Sequence, residues 1–379
     1  MSSIVITGTG LFTPPQSISN EELVASFNAY VDAENEKNRD RIARGEAKAL
    51  ERSNADFIVS ASGIRSRYVM DREGILDPRI MAPRIAERPV DAHSLQCEMA
   101  LAATGEALEQ AGLESGDLDA VIVACSNMQR AYPAISVEVQ AALSAKVGGF
   151  AFDMNVACSS ATFGINVAHD LVAGGSVRRV LVVSPEICTG HLNFRDRESH
   201  FIFGDACTAV IVESLDSAKE RRSREAYAIL GTRLSTRYSN AIRNNFGFLN
   251  RAAPEQRDDA DKLFVQQGRK VFKEVSPLVA DLIAGHLDSL SIPPERVRRM
   301  WLHQANATMN QWIARKVLGR DATAEEAPSV LEDYANTSSC GSIITFHKHR
   351  QGLAEGDIGL ICSFGAGYSI GSVVVRKVR

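Results

Sequence analysis

The residues able to do chemistry in this chain sit in a few short segments of small side chains. Cys158 lies in FDMNVACSSATFGINVAHDLVAGG, where an extended apolar run turns into a segment whose Phe163, Val167, Leu171 and Val172 recur at helical spacing. A cysteine at a strand-to-helix turn has backbone N–H groups and the positive helix end beside it, which favour thiolate and can hold an oxyanion. That suits a nucleophile that carries an acyl group as a thioester. The competing reading is a small buried cysteine between strand and helix. His303 follows the apolar run RMWL and precedes a helix, and among eight histidines it is the one placed like Cys158 in the internal repeat described below. It reads as a catalytic donor or, alternatively, as a structural histidine capping the next helix.

Two further segments offer donors. Asn336, in DYANTSSCGSI, presents a neutral amide before a small-residue turn and reads as a ligand donor or as a helix N-cap. The glycine-rich SFGAGYSIG at 363–371 lets backbone approach a ligand closely with its N–H groups on a carbonyl oxygen, or forms a tight hairpin. The GTG at 8–10 lacks the third glycine and the helix-opening pattern of a dinucleotide site, and that reading is rejected.

Positioning these residues requires alternating strands and helices. Buried strands are expected at Ser3–Ile6, Ala120–Ala124, Val180–Val183, Ala209–Val212, Gly359–Cys362 and Ser372–Val375. A helix is expected over His93–Ala111, with Gly112 as its stop. The stretch Met99–Ser126 recurs in kind at Leu278–Ala305, and RRVLVVSPE with FGDACTAVIVES recurs as GDIGLICSF with GYSIGSVVVRKV. Two similar α/β halves are therefore expected, 1–216 and 217–379, with a charged seam at 214–226. Charged Tyr30–Asn54, readable as a solvated helix, and irregular Asp71–Asp91 read as insertions in the first half.

Composition narrows the function class. The 379 residues carry a net charge of −4, so nucleic acid and anionic membranes are not favoured partners. Seven scattered cysteines without a C-x-x-C pair argue against disulfides and metal sites and fit a reducing cytoplasm. MSSIVITGTG has no basic and long apolar pattern of a leader, and no window of about 20 residues is continuously apolar, so neither export nor a membrane span is expected.

Taken together, ITGTG, SGIRSR at 62–67, VACSSATFGI, IFGDACTAV at 202–210, QGRKVFKEV at 267–275, HQAN at 303–306, YANTSS at 334–339 and FGAGYSIG resemble, in this order, the β-ketoacyl-acyl-carrier-protein synthase III family of the thiolase superfamily. The resemblance implies a thiolase fold, two α/β halves in five αβαβα layers. It implies that Cys158 takes the primer acyl group from acyl-CoA, with its own N–H and that of Ala366 as oxyanion hole. His303 and Asn336 would then support decarboxylation of malonyl-acyl-carrier protein and condensation of the resulting carbanion. The family commonly has glycine where Ala366 stands, and the donor survives if the loop does not need positive φ there. No cofactor is implied. The resemblance also implies a homodimer, with Tyr132 lining the partner's acyl pocket, and primer or coenzyme A contacts at Phe57 and Arg65.

Arg269, Lys270 and Lys273 share one helical face and are expected to dock the acidic carrier protein, or else form an ordinary solvated face. Alternatives within the superfamily are a hydroxymethylglutaryl-type or head-to-head condensing enzyme, whose usual glutamate base has no match in QRAYP although Glu138 lies close by, and a quinolone or polyketide starter synthase. From another class, the alternative is a non-catalytic acyl-binding subunit. Many acetyl-primed relatives read D-E-W-I-V-x-R-T-G-I-R where this chain reads ADFIVSASGIR, so Phe57 and Ala61 replace a tryptophan and arginine that the resemblance assigns to stacking on adenine. Losing the guanidinium is expected to weaken that contact by about 0.5 to 2 kcal/mol. The insertions and this departure resemble the subgroup using a medium-chain primer, near eight carbons, whose methylenes contribute about 0.8 kcal/mol each.

Overall fold

The β-branched runs pair into one nine-stranded sheet. The structure, a computed structural model, describes residues 3–145, 149–221, 223, 225–253, 255 and 260–379. The strands are β1 Ile4–Phe12, β2 Ala120–Ala124, β3 Phe150–Met154, β4 Arg179–Ile187, β5 Asp205–Ser214, β6 Tyr227–Ser239, β7 Val297–Leu302, β8 Ile358–Gly365 and β9 Gly367–Lys377. Their order across the sheet is β7-β8-β9-β6-β1-β5-β4-β2-β3. Read outward from the β1–β6 junction, β1, β5, β4 and β2 on one side match β6, β9, β8 and β7 on the other. The junction itself is short, pairing Val5 with Ala228 and Ile6 with Tyr227.

The helices that place the site are α1 Asn20–Lys37, α2 Leu95–Ala111, α3 Ile135–Ala142, α4 Ser160–Ala173, α5 Gly268–Ser289, α6 Ala307–Leu318 and α7 Cys340–His349. Strand alternation distributes them into layers. In β2, Val121 and Val123 pack against α2 and α3, whereas Ile122 faces α4. In β8, Leu360 and Cys362 face α5 and α6, whereas Ile361 shares a core with Phe346 of α7. Helices α4 and α7 lie between the two half-sheets, giving five layers of αβαβα. Trp301 and Phe346 meet edge to face at 4.7 Å in that middle layer. Truncating Phe346 to alanine would cost about 3–5 kcal/mol.

The expected α2 stops as read: Gly112 follows at φ +66, a left-handed cap that glycine adopts without strain. The GTG motif serves close packing. A Cβ on Gly8 or Gly10 would stand 2.0 or 1.9 Å from the Ala107 or Ala103 carbonyl oxygen of α2.

The first insertion differs from the expectation of a solvated helix. Helix α1 begins ten residues earlier, at a capping box between Ser19 and Glu22, and buries Leu23, Phe27 and Val31. Residues beyond Val31 are mostly exposed. The 71–91 segment is irregular apart from the turn Glu73–Leu76, and it buries Ile75 and Met81 in the core that holds Phe27. Of the charged seam, Leu215–Glu220 is helical, while residues 222 and 224 lie outside the described residues. No helix among the described residues is long and apolar enough to cross a membrane.

Candidate active site

Cys158 occupies the turn between β3 and α4, held by its small neighbours. Ser160 Oγ accepts from Val156 N–H at 2.9 Å and donates to the Ala157 carbonyl at 2.7 Å. Ala157, at φ +48, donates its N–H to Asn155 Oδ1. The Ser-Ser after the cysteine thus builds the turn. Of the seven free cysteines Cys158 alone is not fully buried. The end of β8 abuts it, since a Cβ on Gly365 would lie 2.8 Å from Cys158 Sγ. The N–H groups of Ala366 and of Cys158 itself act on that sulfur. Ala366 is not among the residues with positive φ, so the alanine keeps the donor.

The thiolate expectation is corrected. Burial pushes the Cys158 thiol up to about 11; the Ser338 hydroxyl and the Ala366 and Cys158 N–H groups act against this, and the buried Glu186 carboxylate adds to it. The resting sulfur is a thiol because desolvation outweighs the donors around it.

His303 leaves the end of β7 with its N–H on the Cys362 carbonyl at 2.8 Å and its ring edge to face with Phe364 at 5.2 Å. Burial pushes its pKa down to about 4, so the ring is neutral. Its Nδ1 is buried, and the Ser338 backbone acts on the ring against the effect of burial. Asn336 accepts from Ser338 N–H through Oδ1 at 2.9 Å, which fixes the amide and turns Nδ2 to other partners. The topology corrects one equivalence. Helices α4 and α7 correspond, so Cys158 matches the loop containing Asn336, and His303 matches the loop after β2.

Cys158, His303 and Asn336 line one cavity of about 480 Å³. Its walls are apolar, with Phe201, Phe203, Phe264, Phe272 and Phe364 among them, and Asp196, Glu198 and Arg269 also line it. Phe57 lines it too. The arginine thought lost at Ala61 has a counterpart that sequence reasoning missed: Arg197 lies 4.8 Å over the Phe57 ring, its Nε donating to the Arg52 carbonyl at 2.9 Å. A guanidinium therefore does lie against Phe57, supplied by Arg197 instead of position 61.

Of the other expected residues, Arg269 also lines the cavity. Arg65 pairs with Glu332 at 2.7 Å and does not line the cavity. Tyr132 is 85% exposed and away from this chain's cavity. Arg269, Lys270 and Lys273 are exposed on the first turns of α5, and no ion pair engages them among the described residues. Glu138 is held by Ser94 N–H and Oγ and by Arg130, so it offers no free base to the cavity.

Comparison with known proteins agrees with this arrangement. Residues 152–232 match the family described as 3-oxoacyl-[acyl-carrier-protein (ACP)] synthase III, and residues 287–377 match its C-terminal part. The chain is 59% identical over 352 residues to a beta-ketodecanoyl-[acyl-carrier-protein] synthase of Pseudomonas aeruginosa PAO1, covering 93% of this chain and 99% of that protein. Two solved structures share the fold, each with a TM-score of 0.75 and 22% identity. One is a 3-oxoacyl-(acyl carrier protein) synthase III from P. aeruginosa PAO1, aligned over 100% of this chain and 99% of that one. The other is the priming beta-ketosynthase of the R1128 polyketide pathway, aligned over 100% and 96%. The chain belongs to the 3-oxoacyl-[acyl-carrier-protein] synthase III family, an acyltransferase family of condensing enzymes with the thiolase fold.

Proposed function

We propose that this chain condenses an acyl-CoA primer with malonyl-acyl-carrier protein, giving a β-ketoacyl-acyl-carrier protein two carbons longer for fatty acid biosynthesis. The observation that carries the reading is the convergence of Cys158, His303 and Asn336, from three distant parts of the chain, on one apolar-walled cavity. A non-catalytic subunit would have no use for one accessible cysteine among six buried ones.

Cys158 sulfur attacks the primer carbonyl, and the Ala366 and Cys158 N–H groups hold the oxyanion. The carbon–sulfur bond to coenzyme A breaks, and the cysteine proton leaves with the coenzyme A thiol. Malonyl-acyl-carrier protein then loses carbon dioxide, and the electron pair of the broken C–C bond becomes an enolate. Its oxygen is held by donors from His303 and Asn336. A neutral imidazole suits this role because it can donate an N–H to the enolate oxygen while being a far weaker acid than imidazolium. The carbanion attacks the acyl-cysteine, the C–S bond breaks, and Cys158 regains a proton from solvent.

The primer we assign is medium-chain, near eight carbons. The 59%-identical relative is named for a ten-carbon β-ketoacyl product, which a two-carbon extension makes from an eight-carbon acyl group. Six methylenes beyond acetyl add about 5 kcal/mol if fully buried. The same reading takes residues 1–216 and 217–379 as the halves, a homodimer and a cytoplasmic setting. Among the described residues strand β3 pairs only with β2 and leaves Phe150 exposed at the sheet edge, where a second copy would cover it and carry Tyr132 toward the neighbouring site.

The test is a primer series from acetyl-CoA to dodecanoyl-CoA with malonyl-acyl-carrier protein, alongside peptide mapping of the acyl adduct. A kcat/KM maximum near octanoyl with label on Cys158 is expected. A maximum at acetyl with octanoyl at background would refute the primer assignment, and a label elsewhere would refute the nucleophile.

A further inference from the structure

Glu186, near the end of β4, is fully buried, and its carboxylate collects donors from both halves of the fold. From the first half come Ser126 N–H at 2.9 Å, Ser126 Oγ at 2.5 Å and Asn127 Nδ2 at 3.2 Å. From the second half come Ser339 N–H at 3.3 Å and Ser339 Oγ at 2.5 Å. Burial raises the Glu186 pKa above the usual carboxylate value, and the Ser126 and Ser339 donors act against this in favour of the ionised form.

Each arm of this network ends at the chemistry. On one side the Ser126 carbonyl accepts from Asn155 Nδ2 at 2.9 Å, and Asn155 Oδ1 accepts from the N–H of Ala157, the residue before Cys158. On the other side Ser339 is the N-cap of α7 and adjoins Ser338, whose N–H fixes the Asn336 amide. We propose that Glu186 is a positioning residue of the condensation: one carboxylate, bonded to both halves, holds the cysteine turn and the Asn336 loop in register across the cavity. The proposal rests on the reaction assigned above.

A charged strut leaves a signature that a neutral one would not. The Glu186 charge, to the extent it is present, opposes ionisation of Cys158. The other groups facing Glu186 are the thiols of Cys125, Cys188, Cys207 and Cys340, all pushed above the ordinary cysteine range by burial; Asp205 lies beyond Cys188, and neutral His303 lines the cavity with Cys158.

The test compares wild type, E186Q, E186D and S339A in two assays: the pH dependence of Cys158 alkylation by iodoacetamide, and condensation kcat with primer KM. E186Q keeps one acceptor oxygen and removes the charge. Its alkylation midpoint should fall and its condensation kcat should drop by about 10²-fold, the scale of a 1 Å misplacement, with primer KM within about twofold. E186D keeps the charge but is one methylene too short to span both serines, so its midpoint should match wild type while kcat falls similarly. S339A cuts the second-half arm alone and should lower kcat without moving the midpoint. Parental kcat in both E186Q and S339A would overturn the positioning role, and S339A decides the matter if E186Q does not fold. Failure of wild-type Cys158 to acylate would overturn the reaction itself, a separate outcome.

Discussion

Gly365 ends β8 where backbone meets the nucleophile, and adding one methyl group there probes the site directly. A Cβ would stand 2.6 Å from Cys158 Cβ and 2.8 Å from its Sγ. Ordinary carbon contacts lie near 3.5–4.0 Å, so the two groups must separate by about 1 Å. Gly365 is not among the positive-φ glycines, so the substitution adds no backbone strain and acts through space alone. The cysteine turn is pinned by Ser160 and Asn155, and part of the displacement therefore falls on β8 and the Ala366 N–H that follows it. A 1 Å error at reacting groups costs about 10²-fold in rate, or about 2.7 kcal/mol of barrier, while overpacking destabilises by about 1–3 kcal/mol. G365A should fold with a lowered Tm and acylate Cys158 about 10²-fold more slowly, followed by intact-mass spectrometry with octanoyl-CoA. G359A is the control, because its Cβ would meet Trp301 ring atoms at 2.2 and 2.4 Å at the far end of the same strand. It should lose comparable stability yet acylate at the parental rate per folded molecule. Parental acylation by G365A would refute the close approach of β8 to the sulfur.

The half-reactions should separate. H303A and N336A are expected to acylate at Cys158 but to lose condensation by about 10²-fold or more, the scale of one preorganised donor; parental condensation in both would remove them from the enolate site. Stability should fall on acidification. Burial pushes His191, His200, His286 and His303 down to about 4 from an unfolded 6.5, so the unfolded chain binds more protons between those values and stability is lost as pH drops through that window, by up to about 1.4 kcal/mol per pH unit for each histidine. H200F keeps the stack on Phe27 and loses a bond to the Arg197 carbonyl, so urea titration should show a loss of about 1 kcal/mol at pH 7 and a shallower acid limb; a limb as steep as the parent's would count against the assignment. Charge reversal at Arg269 and Lys273 should raise the KM for malonyl-acyl-carrier protein and flatten its salt dependence, whereas unchanged kinetics would return these residues to an ordinary solvated face.

What was legible in the sequence is what local pattern controls. Ala120–Ala124 is apolar on both faces because helices cover both, and the strand spans those same five residues. Helix α2 stops at Gly112 because a left-handed cap favours glycine. The early start of α1 was also available, since Ser19 and Glu22 spell a capping box, but the charged run after Val31 drew attention from it. Long-range electrostatics were not legible. Arg197 meets Phe57 from 140 positions further along the chain, a contact that the local reading of Ala61 did not reveal. The charge state of Cys158 was hidden as well. Helix end and backbone donors are local and argue for thiolate, whereas the burial that outweighs them comes from the assembled fold, and the Glu186 carboxylate that adds to it comes from a neighbouring strand of the same half. A nucleophile held as a thiol until its substrate arrives is better protected from oxidation and stray alkylation than a standing thiolate. The two halves therefore bring Cys158, His303 and Asn336 to one cavity, and the burial there favours the neutral thiol of Cys158 and the neutral ring of His303.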